Sequence, residues 1–342
     1  MFYSALRKFL FSLSAENAHD FSLRGIDLAY KLGLLGSLSP RASREGVPVE
    51  AMGLSFSHPV GLAAGLDKNG DFIDGLSALG FSFLELGTLT PRAQPGNPPP
   101  RMFRLQDHDA ILNRMGFNNK GIDYALERIA SCKETPIIGL NIGKNLDTPI
   151  EKAVEDYLYC LKLGYSSADY ITINISSPNT PGLRELQYGD QLASLLEKLK
   201  NQQLALAANG KYVPLAVKLA PDLSPAELGI CCENILCHDI DGIIATNTTL
   251  DKSAVQGAKF STEVGGLSGA PLTRSACSML KEIKDIVGSQ VSLIGVGGIM
   301  SGNDARERIA AGADLLQIYS GFVYRGPALI GDILKMLREP GN

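Results

Sequence analysis

The segment INISSPNTPGLRELQ (173–187) leaves a run of alternating β-branched residues for two serines, an asparagine and two prolines, with no histidine or cysteine beside them. A serine hydrolase would need a Gly-x-Ser-x-Gly turn and a partner histidine. The chain has no such turn, and none of its four histidines (His19, His58, His108, His238) lies at the carboxyl end of a barrel-strand run. Small polar groups nevertheless recur directly after short apolar runs: Asp67 with Lys68, Thr88, Asn141, Asn174 with Ser177, Lys218, Thr246 with Asn247, Gly297 with Gly298, and Tyr319 with Ser320. Any one of them reads as a helix cap or turn residue. Their recurrence in nearly every unit points to one site assembled from many strand ends.

The elements that must position them are eight runs: PVGLAAG (59–65), FSFLELGTL (81–89), PIIGLNIG (136–143), YITINISS (170–177), VPLAVKLA (213–220), DGIIATNT (241–248), VSLIGVGGI (291–299) and LLQIYSG (315–321). Between them lie helix candidates at 116–132, 149–163, 189–208, 225–237, 271–287 and 302–311. Strand and helix alternating eight times, with buried-strand composition, predict a parallel (β/α)8 TIM barrel, whose active sites form at the carboxyl ends of the strands. A doubly wound sheet is the alternative, but no Gly-x-Gly-x-x-Gly follows any run. The stretch VEAMGLSFSH (49–58) predicts a hairpin closing the barrel bottom.

Three features narrow the ligand. The Gly-rich GVGGIMSG (295–302) and YSGFVYRGP (319–327) precede helices and can cradle a phosphate. The small residues of AAGLDKNG (63–70) let a flat ring system lie against backbone, with Lys68 just beyond. Lys218 is a lone ammonium in an apolar run, where burial without a partner costs about 3 kcal/mol or more. A reduced flavin, negative around N1 and the C2 carbonyl, is the partner favoured here over an ion pair with Glu85.

Composition fits these readings. A chain of 342 residues, 45% hydrophobic and 20% charged, can bury one large α/β domain with an appendage, or two modest domains. The net charge of −4 argues against a nucleic-acid footprint. Six cysteines without paired spacing read as reduced thiols, and Cys231, Cys232 and Cys237, in a helix-like stretch, read as packed residues rather than ligands beside His238, so no metal is expected. No run of 18 apolar residues exists.

Residues 1–44 have a separate character. Phe2, Leu6, Phe9 and Leu13, then Phe21, Leu28, Leu32 and Leu35, recur at helical spacing and predict two short amphipathic helices with breaks at Ser14 and Asn17. Six basic residues against three acids give this part +3, so the remainder carries −7. That asymmetry suits a hairpin on an anionic membrane surface, and a helical cap docked on the main domain fits the periodicity equally well. The apolar FLFSL is too short for a signal peptide, and no small-residue cleavage site follows it.

AAGLDKNG, PGNPPPRMFRL, NRMGFNN, NISSPNTPGLRELQ, the lysine of AVKLAPD and the GVGGI and YSG turns stand in the order of a known family. Over nearly its whole length the chain resembles dihydroorotate dehydrogenase, in its class 2, membrane-associated, quinone-linked form. The resemblance implies oxidation of (S)-dihydroorotate to orotate in de novo pyrimidine (UMP) biosynthesis, with FMN as bound carrier and a membrane quinone as acceptor. It implies an FMN site of Ala64, Gly65, Leu66, Asp67, Lys68, Thr88, Asn141, Asn174, Lys218, Thr246, Gly269, Gly298, Tyr319 and Ser320. It implies an orotate pocket of Lys68, Asn113, Arg114, Met115, Gly116, Phe117, Asn174, Asn179, Asn247 and Thr248. Asparagine suits the planar imide of the pyrimidine, because a carboxamide matches both its donors and its acceptors.

Ser177 stands where class 2 enzymes place their base and class 1 enzymes a cysteine, and residues 178–187 read as a lid. His19, Arg104 and Tyr319 match positions lining the family's quinone tunnel. Residues 1–44 are expected to form the hairpin for membrane and quinone access, and 45–342 the FMN-binding barrel. Ser320 departs from the threonine frequent in the family but keeps the hydroxyl. A monomer attached peripherally to the cytoplasmic side of the cell membrane is expected. Two rivals remain: a phosphate-binding barrel without redox chemistry leaves Lys218 and NRMGFNN unexplained, and a non-catalytic membrane-docking protein leaves the polar strand ends unexplained.

Overall fold

The computed structural model describes residues 2–35 and 47–339. The chain begins with helices α1 (Phe2–Ser12) and α2 (Ala15–Lys31), followed by a short antiparallel hairpin, β1 (Val49–Ala51) and β2 (Leu54–Phe56). The barrel strands are β3 (Val60–Leu62), β4 (Phe83–Leu89), β7 (Ile137–Ile142), β8 (Tyr170–Asn174), β9 (Leu215–Leu219), β10 (Gly242–Ala245), β12 (Ser292–Val296) and β13 (Leu315–Ile318). They close in sequence order, every neighbour parallel. All eight predicted runs are strands. Helices α3 (Ile73–Ala78), α4 (Ile122–Ala130), α5 (Ala153–Gly164), α6 (Gly189–Ala207), α7 (Pro225–Cys237), α8 (Thr273–Val287), α9 (Gly302–Ala310), α10 (Ser320–Arg325) and α11 (Ala328–Arg338) cover the outside.

The strands are buried on both faces, as their continuous apolar composition requires. One apolar layer lies between strands and helices and holds Leu62, Leu84, Ile171, Val217 and Leu316 with Cys231 and Cys232 of α7. A second fills the barrel bottom, where Phe83, Tyr170, Ile294 and Leu315 meet Ala51, Met52 and Phe56 of the hairpin. The hairpin therefore plugs the barrel as predicted. Large rings fit there because glycines face them: a Cβ at Gly139 would lie 2.1 Å from the Tyr170 ring, and one at Gly61 2.4 Å from Phe83.

A small antiparallel sheet was not predicted. It joins β5 (Met102–Leu105), β6 (Ala110–Asn113) and β11 (Gly266–Gly269) in the order β11-β6-β5, and packs Phe103, Leu105, Leu112 and Leu267 together. The helix expected over 116–132 begins only at Ile122, because residues 114–119 are held as a loop. Gln94 Nε2 donates to the carbonyls of Gly116 and Phe117, both at 3.1 Å, and Asn97 Nδ2 to that of Arg114 at 2.9 Å.

The two N-terminal helices form as predicted, with one correction. Ser14 caps α2 by accepting from the Asn17 N–H at 3.3 Å, worth about 1 kcal/mol. Asn17 therefore lies in the first turn of α2 and is not a break. The pair docks on the barrel: Tyr3 Oη donates to the Val323 carbonyl at 2.6 Å, Arg7 to the Tyr324 carbonyl at 2.8 Å, and Arg101 pairs with Glu16 at 2.7 Å. Leu10, Ala18 and Leu23 are buried, whereas Phe9, Phe21, Leu28 and Leu32 of the predicted apolar faces point outward. The expected boundary at residue 44 lies outside the described residues.

Candidate active site

A cavity of roughly 1080 Å³, counting its opening to solvent, lies at the carboxyl ends of the barrel strands. Ala64, Gly65 and Lys68 after β3, Thr88 on β4, Asn174 and Ser177 after β8, Lys218 on β9, Thr246, Asn247 and Thr248 after β10, Gly298 after β12, and Tyr319 and Ser320 after β13 all line it. The small sheet supplies another wall through Asn113 and Gly269, and the loop beyond it brings Met115, Gly116 and Phe117, with Asn179 from the 178–187 segment. Four residues expected at the FMN and orotate sites are not on the wall. Leu66 is buried in the layer behind, Asp67 and Asn141 support their neighbours, and Arg114 turns outward to pair with Glu263 at 2.6 Å.

Those supports fix the wall. The buried Asp67 carboxylate accepts from the N–H groups of Asn69, Asp71 and Phe72 at 3.3, 3.0 and 2.8 Å, which sets the turn carrying Lys68. Burial raises the Asp67 carboxyl above its ordinary range, and these three donors counter the rise. Asn141 Oδ1 accepts from Thr88 Oγ1 at 2.5 Å and Asn174 Nδ2 at 3.1 Å, while Asn174 Nδ2 also donates to Thr88 Oγ1 at 2.9 Å. Asn174 Oδ1 accepts from Asn247 Nδ2 at 3.3 Å. Three carboxamides from β7, β8 and the β10 loop are thereby locked into one orientation.

Beneath them Glu85 of β4 is fully buried. It accepts from Asn141 Nδ2 at 2.8 Å, Gln317 Nε2 at 2.6 Å, Tyr170 Oη at 3.1 Å and Thr172 Oγ1 at 3.2 Å. Lys218 Nζ lies 3.7 Å from its Oε1. The Glu85 pairing set aside in favour of a flavin is therefore present, and it explains how an ammonium is held in an apolar strand. Lys218 still faces the cavity. Gln317 and Ser176 belong to the same network and were overlooked in the sequence. For Gln317 the signal was a polar side chain inside a strand buried on both faces, as for Lys218, whereas Ser176 lies just past the end of β8 and bonds Asn174 and Asn247.

Ser177 is buried, and its Oγ accepts from the Asn179 N–H at 3.2 Å. Asn179 Nδ2 reaches across to Asn113 Oδ1 at 3.2 Å, joining the 178–187 segment to the small sheet. Arg184 in that segment donates to the Ser176 carbonyl at 3.0 Å and the Thr248 carbonyl at 2.9 Å, and pairs with Asp222 at 2.7 Å. The segment is thus tied over the cavity from both sides.

Lys68 Nζ donates to the Gly65 carbonyl at 2.8 Å. Burial, with Arg101 adding, pushes it down to about 8. His19 of α2 stands beside it and bonds the Leu66 backbone; burial, then the Lys68 charge, push its imidazole down to about 3, so it is neutral at pH 7. Tyr319 packs over Gly65, and burial raises its phenol well above the ordinary range. Arg104 on β5 donates to the Leu10 carbonyl at 3.1 Å and to that of Leu13, and covers the Phe11 ring at 4.6 Å. It holds the end of α1 and is not on the cavity wall. His19 therefore stands next to Lys68 without lining the cavity, whereas Tyr319 lines it beside Gly65.

Comparison with known proteins agrees with this geometry. Residues 47–340 match the dihydroorotate dehydrogenase family. Proteins named dihydroorotate dehydrogenase (quinone) from Paraburkholderia xenovorans and Burkholderia pseudomallei are 52% and 53% identical over 337 and 336 residues, 98% of either chain in both cases. The crystal structure of an Eimeria tenella DHODH in complex with ferulenol superposes with a TM-score of 0.85 at 37% identity, covering 94% of this chain and 90% of that one. The chain belongs to the dihydroorotate dehydrogenase family, in its quinone-dependent class.

Proposed function

We propose that this chain oxidises (S)-dihydroorotate to orotate in pyrimidine biosynthesis, with FMN as resident carrier and a membrane quinone as acceptor. The observation that carries this reading is one cavity uniting a fixed carboxamide wall, a shielded serine, two lysines and a glycine turn, with a docked helical pair at its side. The residues present suit FMN. Gly298 lies so close to α8 that a Cβ would stand 2.3 Å from the Thr273 nitrogen, which keeps backbone bare for a phosphate. Ala64 and Gly65 leave flat space beside Tyr319, and Lys218 and Lys68 bring positive charge to the ring edge. Gln317 Oε1 and Thr248 Oγ1 are buried without a protein partner and can serve ligand donors.

FMN, when bound, supplies a hydride acceptor at N5 for the hydrogen at substrate C6 and passes both electrons on to quinone. Everything else is the work of this chain. Asn113, Asn174, Asn179 and Asn247 orient the pyrimidine, whose imide and carbonyl edges each find a complementary carboxamide edge. Met115 to Phe117 close one side. Ser177 Oγ takes the proton from C5, acidified by the adjacent carbonyl, while its own hydroxyl proton passes by relay to solvent, so that the serine ends neutral. The Asn179 N–H at 3.2 Å and the Lys68 ammonium stabilise the charge that develops, in a site kept dry by the 178–187 segment. His19, Tyr319 and the hairpin offer quinone a path to Lys68 and Gly65, and Arg104 secures α1 beside it. The outward apolar residues of α1 and α2 suit peripheral attachment to the cytoplasmic face of the cell membrane.

The visible spectrum of the purified full-length protein tests the reading. We expect a flavin absorption that dihydroorotate bleaches without oxygen and an added quinone restores. A colourless protein, or a flavin that dihydroorotate leaves oxidised, would overturn it and favour a barrel without redox chemistry.

A further inference from the structure

Behind the glycine turn lies a charge that the chemistry above does not use. Arg308 of α9 is 1% exposed, among the largest fully buried side chains described. Among the described residues no carboxylate lies within ion-pair distance of it. Asp304, the nearest acid on its own helix, is occupied by the Met300 N–H at 3.0 Å and the Ser301 hydroxyl at 2.8 Å. Its Nη2 donates to the Gly297 carbonyl at 2.8 Å and the Thr273 carbonyl at 3.1 Å, while Nε and Nη1 have no partner. A guanidinium so deeply buried is costly unless an anion or a strong dipole compensates it. Its stem also shapes the strand, because a Cβ at Gly295 would lie 2.5 Å from Arg308 Cγ.

The contact to Gly297 gives the charge a direction. The Gly297 carbonyl and the Gly298 N–H belong to one peptide group, so a cation on the oxygen polarises the N–H on the other side. Thr273, the second acceptor, opens α8, whose first turn backs Gly298. We infer that Arg308 is a positioning residue for the phosphate end of the cofactor: it holds the 297–298 turn from behind, strengthens its backbone donors, and supplies the positive charge that a dianion at the turn balances without direct contact. The inference rests on the flavin reading, in which Gly298 takes the phosphate.

The test separates the phosphate from the ring. The full-length chain is titrated with FMN and with riboflavin, which lacks the phosphate, following the quenching of flavin fluorescence. We expect the unaltered chain to prefer FMN, and Arg308→Gln and Arg308→Met to reduce that preference about tenfold or more while riboflavin affinity stays near its original value. Arg308→Lys, which keeps a cation, should retain most of it. An Arg308→Met chain that binds riboflavin normally and keeps the full FMN preference would overturn the inference. So would a loss shared equally by FMN and riboflavin, the mark of a packing role alone. An unaltered chain that binds flavin without preferring FMN would instead remove the phosphate assignment on which the inference stands.

Discussion

At the residue scale the site is a set of small polar groups whose orientation is decided by neighbours on other strands. Ser177 has no imidazole partner, so its role as base rests on a shielded position and on the Asn179 N–H at 3.2 Å, which stabilises charge developing on Oγ as its own proton leaves. Ser177→Ala should therefore keep flavin and orotate binding and slow flavin bleaching by dihydroorotate by about 10²–10⁴, the usual contribution of a positioned base. Near-normal stopped-flow bleaching would remove Ser177 from the role. Lys68 makes a second prediction. Its ammonium, pushed down to about 8 by burial, is the form that attracts an anionic substrate. Orotate affinity should fall as pH rises through about 8, and Lys68→Met should flatten that step. The folded chain also gives up this proton before the unfolded one, so its contribution to stability rises with pH between about 8 and 10.5. The strand-end groups were legible because each follows an apolar run. The bond from Gln317 to Glu85 was not, since the partners lie 232 residues apart and only barrel closure brings them together.

At the element scale, legibility followed continuous apolar burial and the alternation with helices. Eight strands buried on both faces announce themselves, and α7 begins at Pro225 behind the reciprocal Ser224–Glu227 cap, as its sequence indicates. The strands β5, β6 and β11 are four residues each, and β11 is GLSG, a pattern no strand rule selects. Its pairing with β6 is a tertiary event. The hairpin α1–α2 forms the two helices its spacing predicts, and both open alternatives keep a face: Leu10, Ala18 and Leu23 dock on the barrel side, while the more conspicuous apolar residues Phe9, Phe21, Leu28 and Leu32 point outward. Docking places His19 neutral against Lys68, which carries a pH consequence. The docked imidazole protonates only near 3, whereas a released one does so near 6.5. A released hairpin therefore holds more protons between those values, and docking weakens as pH falls below about 6.5, by up to about 1.4 kcal/mol per pH unit. Limited proteolysis of residues 1–35 should accelerate from pH 7 to pH 5, and His19→Gln should remove the pH dependence. Deleting residues 2–35 should leave bleaching by dihydroorotate and abolish reoxidation by quinone. A truncated protein that still reduces quinone at the full rate would separate the hairpin from electron transfer.

At the scale of the whole molecule the two barrel ends are divided between stability and chemistry. Apolar rings and the β1–β2 plug fill the bottom, and the polar wall occupies the top, so fold and site could be inferred from different features of the same strands. The hairpin adds a second asymmetry. Residues 1–44 carry +3 against −7 for the rest, and Phe9, Phe21, Leu28, Leu32 and Leu34 are each more than half exposed, with the Phe9 and Phe21 rings 5.8 Å apart in an edge-to-face pair. The barrel does not use this surface, since the residues that dock lie on the other side of both helices. No described helix is long and apolar enough to cross a membrane, and the peripheral attachment proposed above would rest on insertion of these side chains at the interface. Each Phe buried in the interface is worth about 2 kcal/mol, and the local positive charge adds attraction to anionic lipid that salt screens. The double variant Phe9→Ser/Phe21→Ser should therefore partition into phosphatidylglycerol-containing vesicles at least about tenfold more weakly in a sedimentation assay. Raising salt should weaken the unaltered protein in the same direction. Bleaching by dihydroorotate should be untouched, because neither ring reaches the cavity; equal partitioning of variant and unaltered protein would mean that this face meets something other than lipid.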